Sequence, residues 1–207
     1  MNKENYDKVV AEALKVLREG GVILYPTDTV WGLGCDATNP SAVAKVYGIK
    51  KRSDSKSLVL LASDLDMVAR FVERIPDIAI DLVEVNDRPM TIIYPGAIAG
   101  TASPDAVGTG DRFHLAYNVV AADGSVGIRI PLNDFCRDLV RRLGRPMVST
   151  SANISGNPTP KTFKDIEPEI KEGADYVVAP SLGAGATGTA SQIIKLGLGG
   201  EVEIIRQ

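Results

Sequence analysis

Four cations stand within seven residues in the stretch "YGIKKRSDSKSL", positions 47–58: Lys50, Lys51, Arg52 and Lys56. A planar guanidinium grips oxyanions bidentately and an ammonium supplies a compact charge, so the two together suit pyrophosphate or triphosphate. The first three also follow a helical pattern, where cations complement the helix dipole. A solvated helix end and an anion cradle therefore both fit positions 50–52. Lys56 fits a helix end less well, because only "SDS" separates it from Arg52 and the apolar run "LVLLA" begins two residues later.

Two further stretches set polar side chains at the ends of apolar runs. "STSANISG", 149–156, presents Ser149, Thr150, Ser151 and Asn153. A nucleophilic serine needs a base beside it, and the only histidine, His114, lies in a turn-rich region. That argues against a Ser/His hydrolase. A polar turn closing its own hydrogen bonds remains open. So does a set of neutral donors at a strand end, where open α/β sheets bind ligands. Ser151 and Asn153 share a side while the chain stays extended. "YPTDTVWGLGCDA", 25–37, stops a short apolar run at Pro26, then offers Thr27, Asp28 and Thr29. Trp31 stands beside glycines that let a backbone approach a ligand; a tight turn with a core tryptophan explains the same residues.

"GAGATG", 183–188, fits the G-x-G-x-x-G pattern, with Glu203 twenty residues past Gly183. The dinucleotide motif must open a helix so that its amides face the pyrophosphate. Here "SQIIKLG" follows and reads as a strand, so the pattern is rejected in favour of a flexible or lid-like loop. A G-x-x-x-x-G-K-[ST] phosphate loop is absent.

The elements that must position these groups alternate. Apolar residues at helical spacing predict a helix over 6–19, ended by Gly20 and Gly21. Asn39 and Pro40 suit the cap and first turn of a helix over 40–49. Helical patterns follow around 64–72 and 75–85, and "DFCRDLVRRLG" is an amphipathic helix closed by Gly144. "VILYP", "SLVLLA", "MTIIY", "VGIRIP", "PMVSTSA", "YVVAP", "SQIIKL" and "VEIIR" read as strands. Residues 96–125 are rich in Gly, Ala, Thr and Asp and read as loops with short strands. The expectation is one α/β domain over 1–207 with a mixed sheet.

Composition bounds the rest. With 207 residues, 44% of them hydrophobic, the chain can bury one good core. A net charge of −3 excludes a strongly basic nucleic-acid tail but leaves room for a local basic patch. Cys35 and Cys136 are too few for a disulfide framework or a zinc cluster. The polar start "MNKENYDKVV" is no leader, and no apolar run approaches the ~20 residues of a spanning helix. A cytoplasmic protein without membrane contact is expected, and the sequon at Asn153 then carries no meaning.

Taken together and in this order, the stretches resemble the YrdC-type family, the L-threonylcarbamoyladenylate synthases. "YPTDTVWGLGCDA" is similar to the family's opening strand and turn, and "KKRSDSKSL" resembles its K-x-R segment. "STSANISGNPTP" matches its S-x-N signature, and "VGIRIP" and "ASQIIKL…EIIR" resemble its later strands. The sequence departs at "YPGAIAGTAS", at Ser57, at Gln192 and Lys195, and at Trp31.

The resemblance implies a twisted α/β sheet with an open, basic concave face, in the short single-domain form. It implies condensation of L-threonine, bicarbonate and ATP, with Mg2+ accompanying the ATP, to threonylcarbamoyl-AMP and pyrophosphate. Transferase partners then modify adenosine 37 of tRNA. The K-x-R and S-x-N pairs carry over to Lys50, Arg52, Ser151 and Asn153 as catalytic residues. Thr27, Thr29, Lys56, Ser149, Ser191 and Arg206 carry over as nucleotide- or substrate-facing positions, with no protein-held metal. The alternative is a YciO-type branch that binds double-stranded RNA or nucleotides without full synthase activity.

Overall fold

The computed structural model describes residues 2–52, 58–100, 114–183 and 185–207. Helix α1, Lys3–Arg18, starts where the Asn2 side chain accepts the Asn5 amide. It buries Val10, Ala13, Leu14 and Leu17, one stripe at three- and four-residue spacing. Helix α2, Pro40–Ile49, has the expected Asn39 cap, which accepts from the amides of Ser41 and Ala42. Helices α3 (Leu65–Ala69) and α4 (Asp77–Val85) are shorter than the apolar spacing predicts. Helix α5, Asp134–Leu143, ends at Gly144 with φ 80°, the left-handed value glycine adopts without a Cβ penalty. Helix α6, Pro168–Gly173, is an addition to the expected set.

Nine strands among the described residues form one mixed sheet, ordered β7-β1-β2-β6-β3-β5-β4-β8-β9. They are β1 (Ile23–Tyr25), β2 (Gly32–Gly34), β3 (Val59–Leu61), β4 (Met90–Tyr94), β5 (Val126–Arg129), β6 (Met147–Ser151), β7 (Tyr176–Val177), β8 (Gln192–Leu196) and β9 (Val202–Arg206). The pairs β1–β7, β3–β5 and β4–β8 are parallel, the other neighbours antiparallel. Strand β6 pairs with β2 on one side and β3 on the other, so the sheet's two halves join along it. Core residues come from strands and helices alike: Ile23, Leu24, Leu60, Leu61 and Val148 meet Val10, Leu17, Val43, Val46 and Leu139.

Strand β2, "GLG", was not legible as a strand. At Gly34 a Cβ would come within 2.7 Å of both a Tyr25 ring carbon and the Val148 carbonyl oxygen. That glycine lets β1 and β6 close on β2, a packing role rather than ligand approach. Residues 101–113, the middle of the turn-rich stretch, lie outside the described residues. Its flanks form the bridge Ala99–Leu115 and a short 3-10 turn over Tyr117–Val119.

The end of α2 decides how the cations are presented. The Lys51 amide bonds to the Gly48 carbonyl and the Arg52 amide to the Tyr47 carbonyl. Lys51 sits between them at φ 48°. This is a Schellman end with lysine where glycine is usual. It turns the chain sharply, so three consecutive cations take three different directions.

Candidate active site

Strands β2, β6 and β3 are registered so that Gly32 pairs with Ser151 and Val59 with Ser149. Above them opens a cavity of about 300 Å³. Ser149, Thr150 and Ser151 reach it from β6, and Thr27, Thr29 and Trp31 from the connection between β1 and β2. Arg52 enters after α2, Arg129 from the end of β5, and Ser191 and Arg206 from β8 and β9. The third and ninth strands in spatial order both contribute, so the sheet curves around the opening.

Each wall is fixed by specific bonds. The Thr27 hydroxyl donates to the Val30 carbonyl at 2.7 Å and accepts from the Thr29 and Val30 amides. Its one proton is thereby committed, so in the 2.8 Å contact between the two hydroxyls Thr29 is the donor. Thr29 is left with lone pairs, an acceptor for an amine or hydroxyl of a ligand. On the opposite wall, Arg206 forks its Nε and Nη2 onto the Ser191 carbonyl at 2.9 and 2.7 Å. The Ser191 hydroxyl meets that of Thr91 at 2.8 Å. Thus Ser191 and Arg206, fifteen residues apart, act as one unit.

Arg129 is 4% exposed and pairs with Asp28, 8% exposed, at 2.5 Å. The second Asp28 oxygen accepts the Leu132 amide at 3.0 Å. A buried guanidinium needs such a partner, because an uncompensated buried charge is costly. The backbone oxygens of Asp28 and Thr29 accept from the amides of Thr187 and Gly188 at 2.9 and 2.8 Å. Those bonds dock residues 187–188 of the glycine-rich segment on the cavity's edge, and a strand follows, as its β-branched residues predict.

Of the cation cluster, Arg52 lines the cavity, and burial lowers its pKa, with Tyr47 opposing. Lys51 points outward and pairs with Glu169 at 2.9 Å. Lys50 departs from its expected place on phosphate. Its side chain lies beneath the site, where Nζ donates to the carbonyls of Ser151 at 2.5 Å and Asn153 at 2.7 Å. Burial lowers its pKa from 10.5 to about 8, Arg52 adding to the shift and Glu167 opposing it. Lys50 still has helical backbone angles and points from the helix end to the β6 carbonyls, and the Schellman turn after it carries Arg52 away to the cavity. Lys56 lies outside the described residues.

Ser151 lines the cavity, but the Asn153 side chain does not. Strand β6 ends at Ser151 and the chain bends, so the alternation stops there. Asn153 Nδ2 donates to the carbonyls of Ile154 and Asn157, and Glu167 accepts from the Ile154 amide. Asn153 Oδ1 is buried with no hydrogen-bond partner among the described residues. Sequence reasoning missed Arg129, Thr159 and Glu167. An arginine ending the apolar strand "VGIR" is a signal, since buried charge demands a partner. Glu167 offered none, being polar in a polar loop.

Arg52, Arg129 and Arg206 around hydroxyl-rich walls make an opening suited to a phosphorylated ligand. His114 and both cysteines lie elsewhere, so among the described residues the walls hold no nucleophile–base pair. Such a site acts by positioning and by electrostatic stabilisation of developing charge.

A family model described as telomere recombination, covering the Sua5, YciO and YrdC proteins, matches residues 15–207. The chain is similar to the threonylcarbamoyl-AMP synthase of Pseudomonas aeruginosa, 31% identical over 172 residues, 83% of this chain and 84% of that protein. Its fold resembles that of P. abyssi Sua5 complexed with L-threonine, with a TM-score of 0.74 and 22% identity over 92% of this chain. The match takes in 51% of the Sua5 chain, so this chain spans about half of that protein's length. E. coli YciO gives a TM-score of 0.72 at 22% identity, covering 97% of this chain and 89% of that one. With the family model matched along nearly its whole length, this chain belongs to the Sua5/YciO/YrdC family.

Proposed function

We propose that this chain is a threonylcarbamoyl-AMP synthase, which condenses L-threonine, bicarbonate and ATP and releases pyrophosphate and water. The observation that carries the reading is one cavity that combines three guanidinium groups with hydroxyls from β6 and a Thr29 hydroxyl left to accept from a ligand. The named relative at 31% identity supports it.

In this reading the threonine amine adds to bicarbonate with loss of water, giving a carbamate. A carbamate oxygen then attacks the α-phosphorus, and the bond to pyrophosphate breaks. Arg52 and Arg206 neutralise phosphate oxygens, and Ser149, Ser151 and Ser191 orient them. Thr29 accepts from the threonine amine, which aims its lone pair at the bicarbonate carbon. Thr27 acts through Thr29. Asn153 and Lys50 support the site from below. Among the described residues no group of three or more His, Cys, Asp or Glu is placed to hold a metal. Mg2+ would accompany the triphosphate, where it commonly retains waters and relies on substrate phosphates rather than a dedicated protein cage. The product is a substrate for the transferases that act on tRNA.

The test is pyrophosphate release from ATP by the purified chain, with and without L-threonine and bicarbonate. Release that requires both is expected. ATP turnover indifferent to both would refute the reading. No turnover together with salt-sensitive binding of double-stranded RNA would favour the YciO-type alternative.

A further inference from the structure

The peptide joining Asn153 to Ile154 is held at both ends by charge. Its carbonyl accepts from Lys50 Nζ at 2.7 Å, and its N–H donates to Glu167 Oε2 at 2.9 Å. A trans peptide directs these two groups to opposite sides. Cation and anion thus face each other across one peptide dipole, in the orientation electrostatics favours. Turning the peptide over would aim its N–H at the ammonium and its carbonyl at the carboxylate, repulsive at both ends.

The surrounding bonds make this plane the pivot of the whole 151–157 turn. Lys50 Nζ also holds the Ser151 carbonyl, and the Lys50 carbonyl accepts the Ser155 amide at 2.8 Å. Glu167 Oε1 accepts from Asn157 Nδ2 at 2.6 Å, and the Asn157 carbonyl accepts from Asn153 Nδ2 at 2.7 Å. Ser151 is the member of this turn whose side chain reaches the cavity. Glu167 lies outside the cavity wall, and among the described residues its carboxylate bonds to the turn.

We infer that Glu167 is a positioning residue, which with Lys50 fixes the Asn153–Ile154 peptide and so sets the Ser151 hydroxyl in the cavity. The charges facing Lys50 are Arg52 from its own segment, which disfavours its proton, and Glu167 from the segment ahead of α6, which favours it. Glu167 in turn sees Lys51 as well as Lys50, and its carboxyl is held below the ordinary range chiefly by the bond from the Ile154 amide.

The inference rests on the synthase reading only for its kinetic arm. Glu167→Gln keeps the size of the side chain and removes its charge. Side-chain NMR of Lys50 across pH 6.5 to 10 follows its proton directly, with a wild-type midpoint near 8. In Glu167→Gln that midpoint falls, and the Ile154 amide proton moves upfield as its carboxylate acceptor is lost. The kcat for pyrophosphate release falls about tenfold while KM for ATP changes less than about twofold. Glu167→Asp, which retains the charge, recovers part of both effects and serves if the glutamine variant does not fold. A merely structural role would lower stability and shift the Lys50 midpoint while leaving kcat where it is. An unchanged midpoint overturns the inference, as does an unchanged kcat in an active enzyme. If the wild type shows no turnover, the synthase reading has failed, and an unchanged Lys50 midpoint still overturns the inference.

Discussion

Replacing Asp28 by Asn strips a buried guanidinium of its counter-charge. Arg129 is 4% exposed and Asp28 8%, so water cannot take the carboxylate's place. Removing one partner of such a pair costs about 3–5 kcal/mol. Asn keeps one acceptor, for Arg129 or for the Leu132 amide but with half the bonding capacity, which puts the expected loss near ~3 kcal/mol. Against a typical total of about 5–15 kcal/mol that is readily measured by urea unfolding at pH 7. Two comparisons separate charge from shape. Asp28→Asn with Arg129→Met removes both charges and should be more stable than Asp28→Asn alone. Pyrophosphate, bound against the unpartnered Arg129, should raise Tm more in Asp28→Asn than in the wild type. A single variant within ~1 kcal/mol of wild type would refute the reasoning, as would a double variant less stable than the single one.

Four more tests follow from the same structure. Lys50 carries its proton to about pH 8 when folded and to 10.5 ordinarily; between those values the unfolded chain binds the extra proton, so stability rises with pH. The wild type should gain about 2 kcal/mol on Lys50→Met from pH 8 to 9.5, and a constant difference in urea titrations would contradict the burial of a charge there. Arg52→Ala should cut pyrophosphate release by about a hundredfold with the fold intact. Lys51→Gly should leave turnover unchanged and add about 0.5–1 kcal/mol by relieving the left-handed lysine; equal rates for Arg52→Ala and wild type would remove Arg52 from the site. Burial raises the pKa of both Cys35 and Cys136, mainly by desolvation. Neither should react with a thiol reagent at pH 8 until urea unfolds the chain, and rapid native labelling would show the core is not closed.

Helix caps and apolar strands were legible because their signals are local. Asn39 followed by Pro40 announces α2, and "MTIIY" and "VGIR" announce their strands. Strand β2 was hidden because "GLG" has no alternation to read, and the reason for Gly34 lies in Tyr25 and Val148. At the site, residue types singled out Arg52 and Ser151, the family resemblance added Ser191 and Arg206, and all four line one cavity. The sequence could not separate Lys50 from Arg52. Their divergence depends on a left-handed turn at Lys51, where neither glycine nor asparagine marks it. Nor could it pair Asp28 with Arg129, or Lys50 and Glu167 with the same peptide, because those partners meet only through the sheet.

Three of the bonds that build the cavity join residues separated by 100 or 101 positions: Asp28 to Arg129, Lys50 to Ser151, and Thr91 to Ser191. Such long closures come late in folding, since loop entropy must be met before the contact rewards it. A fragment must exceed 100 residues to hold even one of these bonds. Ligand occupancy is therefore linked to the whole-molecule equilibrium, and substrate should slow amide exchange in the deepest strands as well as at the rim.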